Sequence, residues 1–267
     1  MSYSVLFRRF PWDHFDEVAP VVAHAYGMND YDARAKIRRG WGFLERDASE
    51  ENARLIEAAM GDCSGGVIAI DNTELRVPAD PKVVTAFESS APAATFHLQH
   101  PQEPMRVIEW ARVGVVAAGA FSEEIIRRES GGNDRSTGKM MMGLGIFFVT
   151  GVPLGLFGGG KQKDAKPVKS SRVITFGRVV TTAGEQFAFS PDHLDFSGLG
   201  EKKQMNTAAN FRALLGEFAQ RTSARLNLGA RLLLENRAIT FANYTSVHDF
   251  ETELLWTLNV GALSSGA

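Results

Sequence analysis

MRVIEWARVGVVAAG, residues 105–119, is the stretch whose reading decides the fold. Over Met105–Val116 its residues alternate with the two-residue period of a strand. Val107, Glu109 and Ala111 face one way, and Ile108, Trp110 and Arg112 the other. Further strands are expected on both sides: Phe96-His97-Leu98 before it, and Arg172–Phe176, Phe187–Phe189 and Leu232–Glu235 after it. Two helices complete this part. Asn206 is placed to cap Thr207–Thr222, whose stripe is Phe211, Leu214, Leu215 and Phe218. Ser246 is placed to cap Val247–Leu258, with Phe250, Leu254, Leu255 and Leu258 on one side. The tail 261–267 is small and polar and reads as a frayed end.

Toward the N-terminus the pattern is denser in helices. Tyr3–Arg8 reads as a strand. Val18, Val21, Val22 and Ala25 recur at helical spacing up to Gly27, with Pro20 expected in the first turn. Asp30 is placed to cap Tyr31–Arg39, which Gly40 ends, and Trp41–Leu44 reads as a short strand. Asp47 and Glu50 have capping-box spacing ahead of a helix whose buried face is Leu55, Ile56, Ala59 and Met60. Gly65-Gly66 turns into the strand Val67–Ile70. Residues 72–82, NTELRVPADPK, hold two prolines and two acids and read as a linker.

The expected fold class is α+β. A small β-α-α-β-α-β domain covers residues 1–71. After the linker 72–82, a larger antiparallel-sheet domain covers 83–260, closed by the C-terminal helices and interrupted by an apolar, glycine-rich insertion at 121–171. The element order of residues 3–71 resembles the C-terminal domain of the ribosomal stalk protein L7/L12. That likeness implies a shared fold and no ribosomal role. Trp110, Val113, Val116, Ala118 and Gly119, then Asn210-Phe211, then Tyr244, Ser246, Phe250, Glu253 and Trp256 resemble the pattern of a family of uncharacterised bacterial proteins. This second resemblance implies a sheet closed by a helix, loosely like pleckstrin-homology barrels, and implies no activity. If its two blocks pack together, Trp110 and Trp256 meet near one core.

Inside the insertion, residues 140–160 read MMMGLGIFFVTGVPLGLFGGG: 21 residues without a charge between Lys139 and Lys161. Its apolar candidates for interaction are Met140, Met141, Met142, Leu144, Ile146, Phe147, Phe148, Leu154, Leu156 and Phe157. Its basic flank is Arg127, Arg128, Lys139, Lys161, Lys163, Lys166 and Lys169, suited to an anionic lipid surface or to solubilising a loop. Three readings stand. The first is a buried hairpin or an oligomer contact, favoured by seven glycines and Pro153. The second is a membrane-inserted hairpin or span. The third is a glycine-rich ligand loop. If 105–119 and 172–258 build one sheet, a single crossing is excluded, because both blocks must lie on the same side of the bilayer.

Composition narrows the function classes. The chain has 267 residues, 44% hydrophobic, with net charge −2. With a pI near 6.3 it has no global positive field for a nucleic-acid partner. A single cysteine, Cys63, excludes an intrachain disulfide and a multi-cysteine metal site, and points to a reducing, cytoplasmic compartment. The opening residues lack the basic-then-apolar order of a signal peptide. Gly138-Lys139 has neither the upstream glycine nor the following hydroxyl of a phosphate-binding loop. Gly143-x-Gly145 lacks a dinucleotide register. His97 and His100, three apart, fall on opposite strand faces. His193, between Asp192 and Asp195, fits a turn, and Ser246, His248 and Asp249 fit a helix cap better than a triad. Glu123-Glu124 and Glu50-Glu51 read as solvated helix faces.

No catalytic, cofactor or metal residue is therefore assigned. The expected function is non-enzymatic: an interaction or adaptor protein, membrane-associated or self-associating through residues 140–160. The alternative is a regulatory protein binding a small ligand where the two domains meet.

Overall fold

The computed structural model describes residues 1–61, 66–128, 167–242 and 244–263. Met1–Phe121 and Thr175–Ala267 form one compact unit, and Ser122–Ile174 form a second. The fold is α+β, with helices on two separate sheets.

The first sheet is antiparallel, in the order β2-β1-β3. Its central strand β1 (Tyr3–Phe7) is buried on both faces, as an all-apolar run with one serine requires. β2 is Phe43–Ala48 and β3 is Val67–Asp71. Three helices pack on this sheet: α1 (Phe15–Tyr26), α2 (Asp30–Gly40) and α3 (Glu50–Met60). The core holds Val5, Phe7, Val18, Val22, Ile37, Leu44 and Met60. The order β-α-α-β-α-β is the expected one.

Its local details differ from expectation. Pro20 lies inside α1 beyond the first turn, on the exposed side. Asn29, not Asp30, caps α2, accepting from Asp32 N at 2.9 Å. Ser49 caps α3 through Asn52 N, whereas Asp47 belongs to β2 and takes a positive φ of 56°. In each case the residue one or two positions from the expected cap has the extended backbone that a cap needs. The buried face of α3 is Ala53, Ile56 and Met60, and Leu55 is 61% exposed. Trp41 is not a strand residue: it stands at the α2 C-terminus in the left-handed region.

The second sheet has eight strands in the order β11-β7-β8-β9-β4-β5-β6, with β10 also on β4. They are β4 (Lys82–Ser89), β5 (Ala93–Leu98), β6 (Met105–Glu109), β7 (Val113–Arg128), β8 (Pro167–Thr181), β9 (Gln186–Phe189), β10 (Asp195–Gly198) and β11 (Arg225–Leu226). The pairs β4–β5, β5–β6 and β8–β9 are antiparallel, but β4–β9, β4–β10 and β7–β11 are parallel, so this sheet is mixed. β7 and β8 are hydrogen-bonded neighbours, and the second unit holds their ends from Ser122 and up to Ile174.

Met105–Val116 is two strands rather than one. Trp110–Arg112 form a 3-10 turn between β6 and β7. The expected alternation holds through Trp110, with Val107 and Glu109 exposed and Ile108 and Trp110 buried, and fails at exposed Arg112. Glu123 and Glu124 lie in strand β7, not on a helix. Leu232–Glu235 is not a strand either. Asn227 caps a short helix, α5 (Leu228–Leu234), by accepting from Ala230 N. A run of three leucines is compatible with either element, and the cap decides it.

Helix α4 (Thr207–Arg221) lays Phe211, Leu214, Leu215 and Phe218 on the face of the sheet that carries Val179 and Phe187. The last helix, α6 (Val247–Leu263), lies on the opposite face, where Phe250 meets Phe176 at 4.7 Å between ring centroids. Its other side reaches the small sheet: Trp256 Nε1 donates to Phe7 O at 2.7 Å. Trp256 also fills the space above Gly42, where φ is 98° and a Cβ would collide with the indole. Thr252–Leu254 and Trp256–Val260 are all buried, so α6 is enclosed on nearly every side. Trp110 instead packs edge-on against Phe218 in the large core. The two tryptophans thus do not share a core, because α6 and α4 cover opposite faces of the sheet. The stretch 72–82 is not loose either: Asn259 bonds both the N–H and the C=O of Arg76, at 2.8 and 3.1 Å.

Candidate functional site

The first turns of α6 carry two polar environments. On one side lies a buried network. Glu253, fully enclosed, accepts from Tyr244 Oη, from Leu228 N at 2.7 Å and from Asn227 Nδ2 at 3.2 Å. Asn227 also takes both backbone groups of Ala118, accepting from its N–H at 2.9 Å and donating to its C=O at 3.0 Å. Gly229 allows this approach, since a Cβ there would strike the Ala118 carbonyl. Burial pushes Glu253 above the ordinary carboxylate range despite these bonds, and burial together with Glu253 pushes Tyr244 well up. The network ties β7, the start of α5 and α6 together. Each of its polar groups is partnered, which marks it as structural.

On the other side lies an open cleft of about 520 Å³. It is built by one face of α2 (Tyr31, Asp32, Ala35, Lys36, Arg39), by β2 from Phe43 to Arg46, and by His248 and Thr252 of α6. The residues on α2 recur at helical spacing, and His248 and Thr252 stand one turn apart. Met28, Ala35, Phe43 and Leu44 supply apolar lining. Three cations line it against two acids.

The acids are already engaged. Glu45 accepts from Lys36 Nζ at 2.8 Å and from Tyr26 Oη at 3.3 Å, and Asp32 accepts from Asn29 at 2.7 Å. Burial and the charge of Glu45 push the Tyr26 hydroxyl far above its ordinary value. The remaining cations have no acid partner among the described residues. The Arg46 guanidinium lies over the Phe43 ring at 4.1 Å, and its buried Nη2 has no hydrogen-bond partner among the described residues. Burial holds Arg46 below its ordinary value, only partly offset by Asp47. Arg39 is exposed, with no acid partner among the described residues.

The sequence candidates fall elsewhere. Met140, Met141, Met142, Leu144, Ile146, Phe147, Phe148, Leu154, Leu156 and Phe157 lie outside the described residues, as do Lys139, Lys161, Lys163, Lys166 and Cys63. Arg127 and Arg128 belong to β7, and Lys169 to β8. His97 faces Glu88 at 3.1 Å, and His100 accepts from Glu103 N at 3.2 Å, so the two are engaged separately. His193 belongs to a turn closed on Ser190 O at 3.0 Å. Ser246 accepts from Asp249 N at 3.3 Å and Asp249 accepts from Thr245, a reciprocal cap that leaves His248 pointing elsewhere. Among the described residues no group of three His, Cys, Asp or Glu is placed to hold a metal, and no helix is long and apolar enough to cross a membrane.

None of the cleft residues was singled out from the sequence as a ligand site. The only available signal was the cation density of RAKIRRG, residues 34–40, next to an aromatic-rich turn. Comparison with protein-family models, with curated proteins and with solved structures finds no match to this chain.

Proposed function

We propose that this protein is a regulatory protein that binds a small ligand in the cleft between α2, β2 and the start of α6. The observation that carries this reading is the imbalance of the cleft: its acids are bonded, while Arg39 and Arg46 have no acid partner among the described residues. Its size is that of a small-molecule site, and its walls mix polar and apolar groups. We read Met1–Asp71 and residues 83–260 as two domains, the first like the stalk L7/L12 C-terminal domain and the second like a pleckstrin-homology fold. On that reading the cleft lies where the domains meet, and α6 carries occupancy of the site to the larger sheet.

The test is a thermal-shift screen of the full chain and of Ala35→Trp, which fills the cleft from α2. A ligand that raises the melting temperature of the wild type and not of Ala35→Trp supports the reading. A broad metabolite set that shifts neither protein refutes it, as does a ligand that stabilises both equally.

A second reading rests on residues 140–160, whose 21 uncharged residues favour a contact with another protein, a second copy or an anionic membrane surface. In that role the protein is a cytoplasmic adaptor held at a membrane or in an oligomer. Cell fractionation and light scattering of the chain with and without residues 140–160 test it. Identical partitioning and identical mass in the pair remove it.

A further inference from the structure

We infer that the cleft selects a small organic anion, with a carboxylate or phosphate group set between Arg46, Arg39 and His248 and an apolar or aromatic body against Met28 and Ala35. This rests on the cleft being the binding site and specifies the chemistry that it takes.

Three elements converge on the anionic end. Arg39 comes from the last turn of α2, Arg46 from β2 and His248 from the first turn of α6. The Arg46 guanidinium sits over the Phe43 ring at 4.1 Å, a contact that holds it at the cleft before a ligand arrives. A guanidinium presents paired N–H groups that match carboxylate and phosphate oxygens, and the half-buried Arg46 lines the cleft with no acid partner among the described residues. The start of α6 adds the positive end of a 17-residue helix. A cationic ligand would instead have to share Glu45 with Lys36 and meet the charges of Arg39 and Arg46. The wall argues against a bare inorganic ion, because the partly buried Met28 and Ala35 offer surface that an apolar body covers.

The probes are phenyl phosphate, benzoate, inorganic phosphate, benzyl alcohol and benzylamine, titrated into the full chain and followed by amide NMR shifts. Phenyl phosphate or benzoate is expected to move the resonances of α2, β2 and the α6 start. Binding weakens at high salt, and inorganic phosphate and benzyl alcohol bind at least about tenfold more weakly. Arg46→Gln is expected to weaken the anion about tenfold or more, with Arg46→Lys intermediate. Arg39→Gln, at an exposed position where folding is not at risk, moves in the same direction. Arg54→Gln, on α3 and paired with Glu57 outside the cleft, leaves binding unchanged. Benzyl alcohol or benzylamine binding in the cleft as tightly as phenyl phosphate, with no loss in Arg46→Gln and Arg39→Gln, overturns the anion assignment and leaves the cleft as a site. Shifts confined to other surfaces, or none with any probe, overturn both.

Discussion

At Glu253 each carboxylate oxygen has its donors, and each donor is spoken for by name: Tyr244, Leu228 and Asn227. Five residues back on the same helix, His248 faces a cleft where Arg39 and Arg46 have no acid partner among the described residues. Both regions use the opening turns of α6, yet one is closed and balanced and the other open and in surplus. Groups that hold the fold together are satisfied within the chain, because an unpaired buried group is costly. Groups left in surplus beside a cavity have no such role, and that difference separates scaffold from site.

The comparison breaks hardest at Glu253. Glu253→Ala strands Asn227 and the Leu228 N–H in a closed space, and is expected to lower the unfolding free energy by about 4 kcal/mol in urea titration. A loss below about 1 kcal/mol would show that the network is not structural. Glu253→Gln gives a milder loss with a pH signature. Burial raises the folded pKa of Glu253, against hydrogen bonds from Tyr244, Leu228 and Asn227 and the charge of Arg231. A raised folded pKa gives stability that is complete below the unfolded value and is lost as pH rises through the folded one. The advantage of wild type over Glu253→Gln should therefore shrink as pH rises above the ordinary carboxylate value of 4.5, and a constant or growing advantage contradicts the shift.

Trp256→Phe removes the bond to Phe7 O but keeps most of the packing, and should cost about 1–2 kcal/mol in the same titration. Smallest is the cleft itself. Arg46→Gln should change stability by less than about 1 kcal/mol while altering ligand response. A large stability loss there would move Arg46 from the site to the scaffold.

Sequence periodicity found α4 with its whole stripe, because Phe211, Leu214, Leu215 and Phe218 face one apolar sheet and a solvated side. It did less well on α6, where Thr252, Glu253, Thr257 and Asn259 are as buried as Phe250. A helix enclosed between two sheets has no solvated face to mark, so its apolar stripe does not describe its surroundings. Tyr244, Glu253 and Trp256 stood out as a spaced pattern, but their bonds to each other, to Asn227 and to Phe7 depend on chain crossings that spacing does not encode. α5 was mistaken for a strand because seven residues are too few for a period to show. The cleft was legible only as the idea of a site where two halves meet. Its walls come from residues 28–46 and from 248 and 252, two hundred positions apart.

Three of the four tryptophans crowd the contact between the small sheet and the last helix. Trp12 and Trp41 stand 4.6 Å apart, Trp41 stacks on Tyr244, and Phe10 bridges Trp12 to Trp256. Their transitions are close enough to couple, so the near-ultraviolet dichroism of the folded chain is a signature of this one seam. Replacing Trp110 with phenylalanine makes the emission report on the seam alone, while far-ultraviolet dichroism follows both sheets. Superimposed optical melts would then show the two sheets coming apart and unravelling in a single step, and a gap between the curves would expose an opened but still folded form.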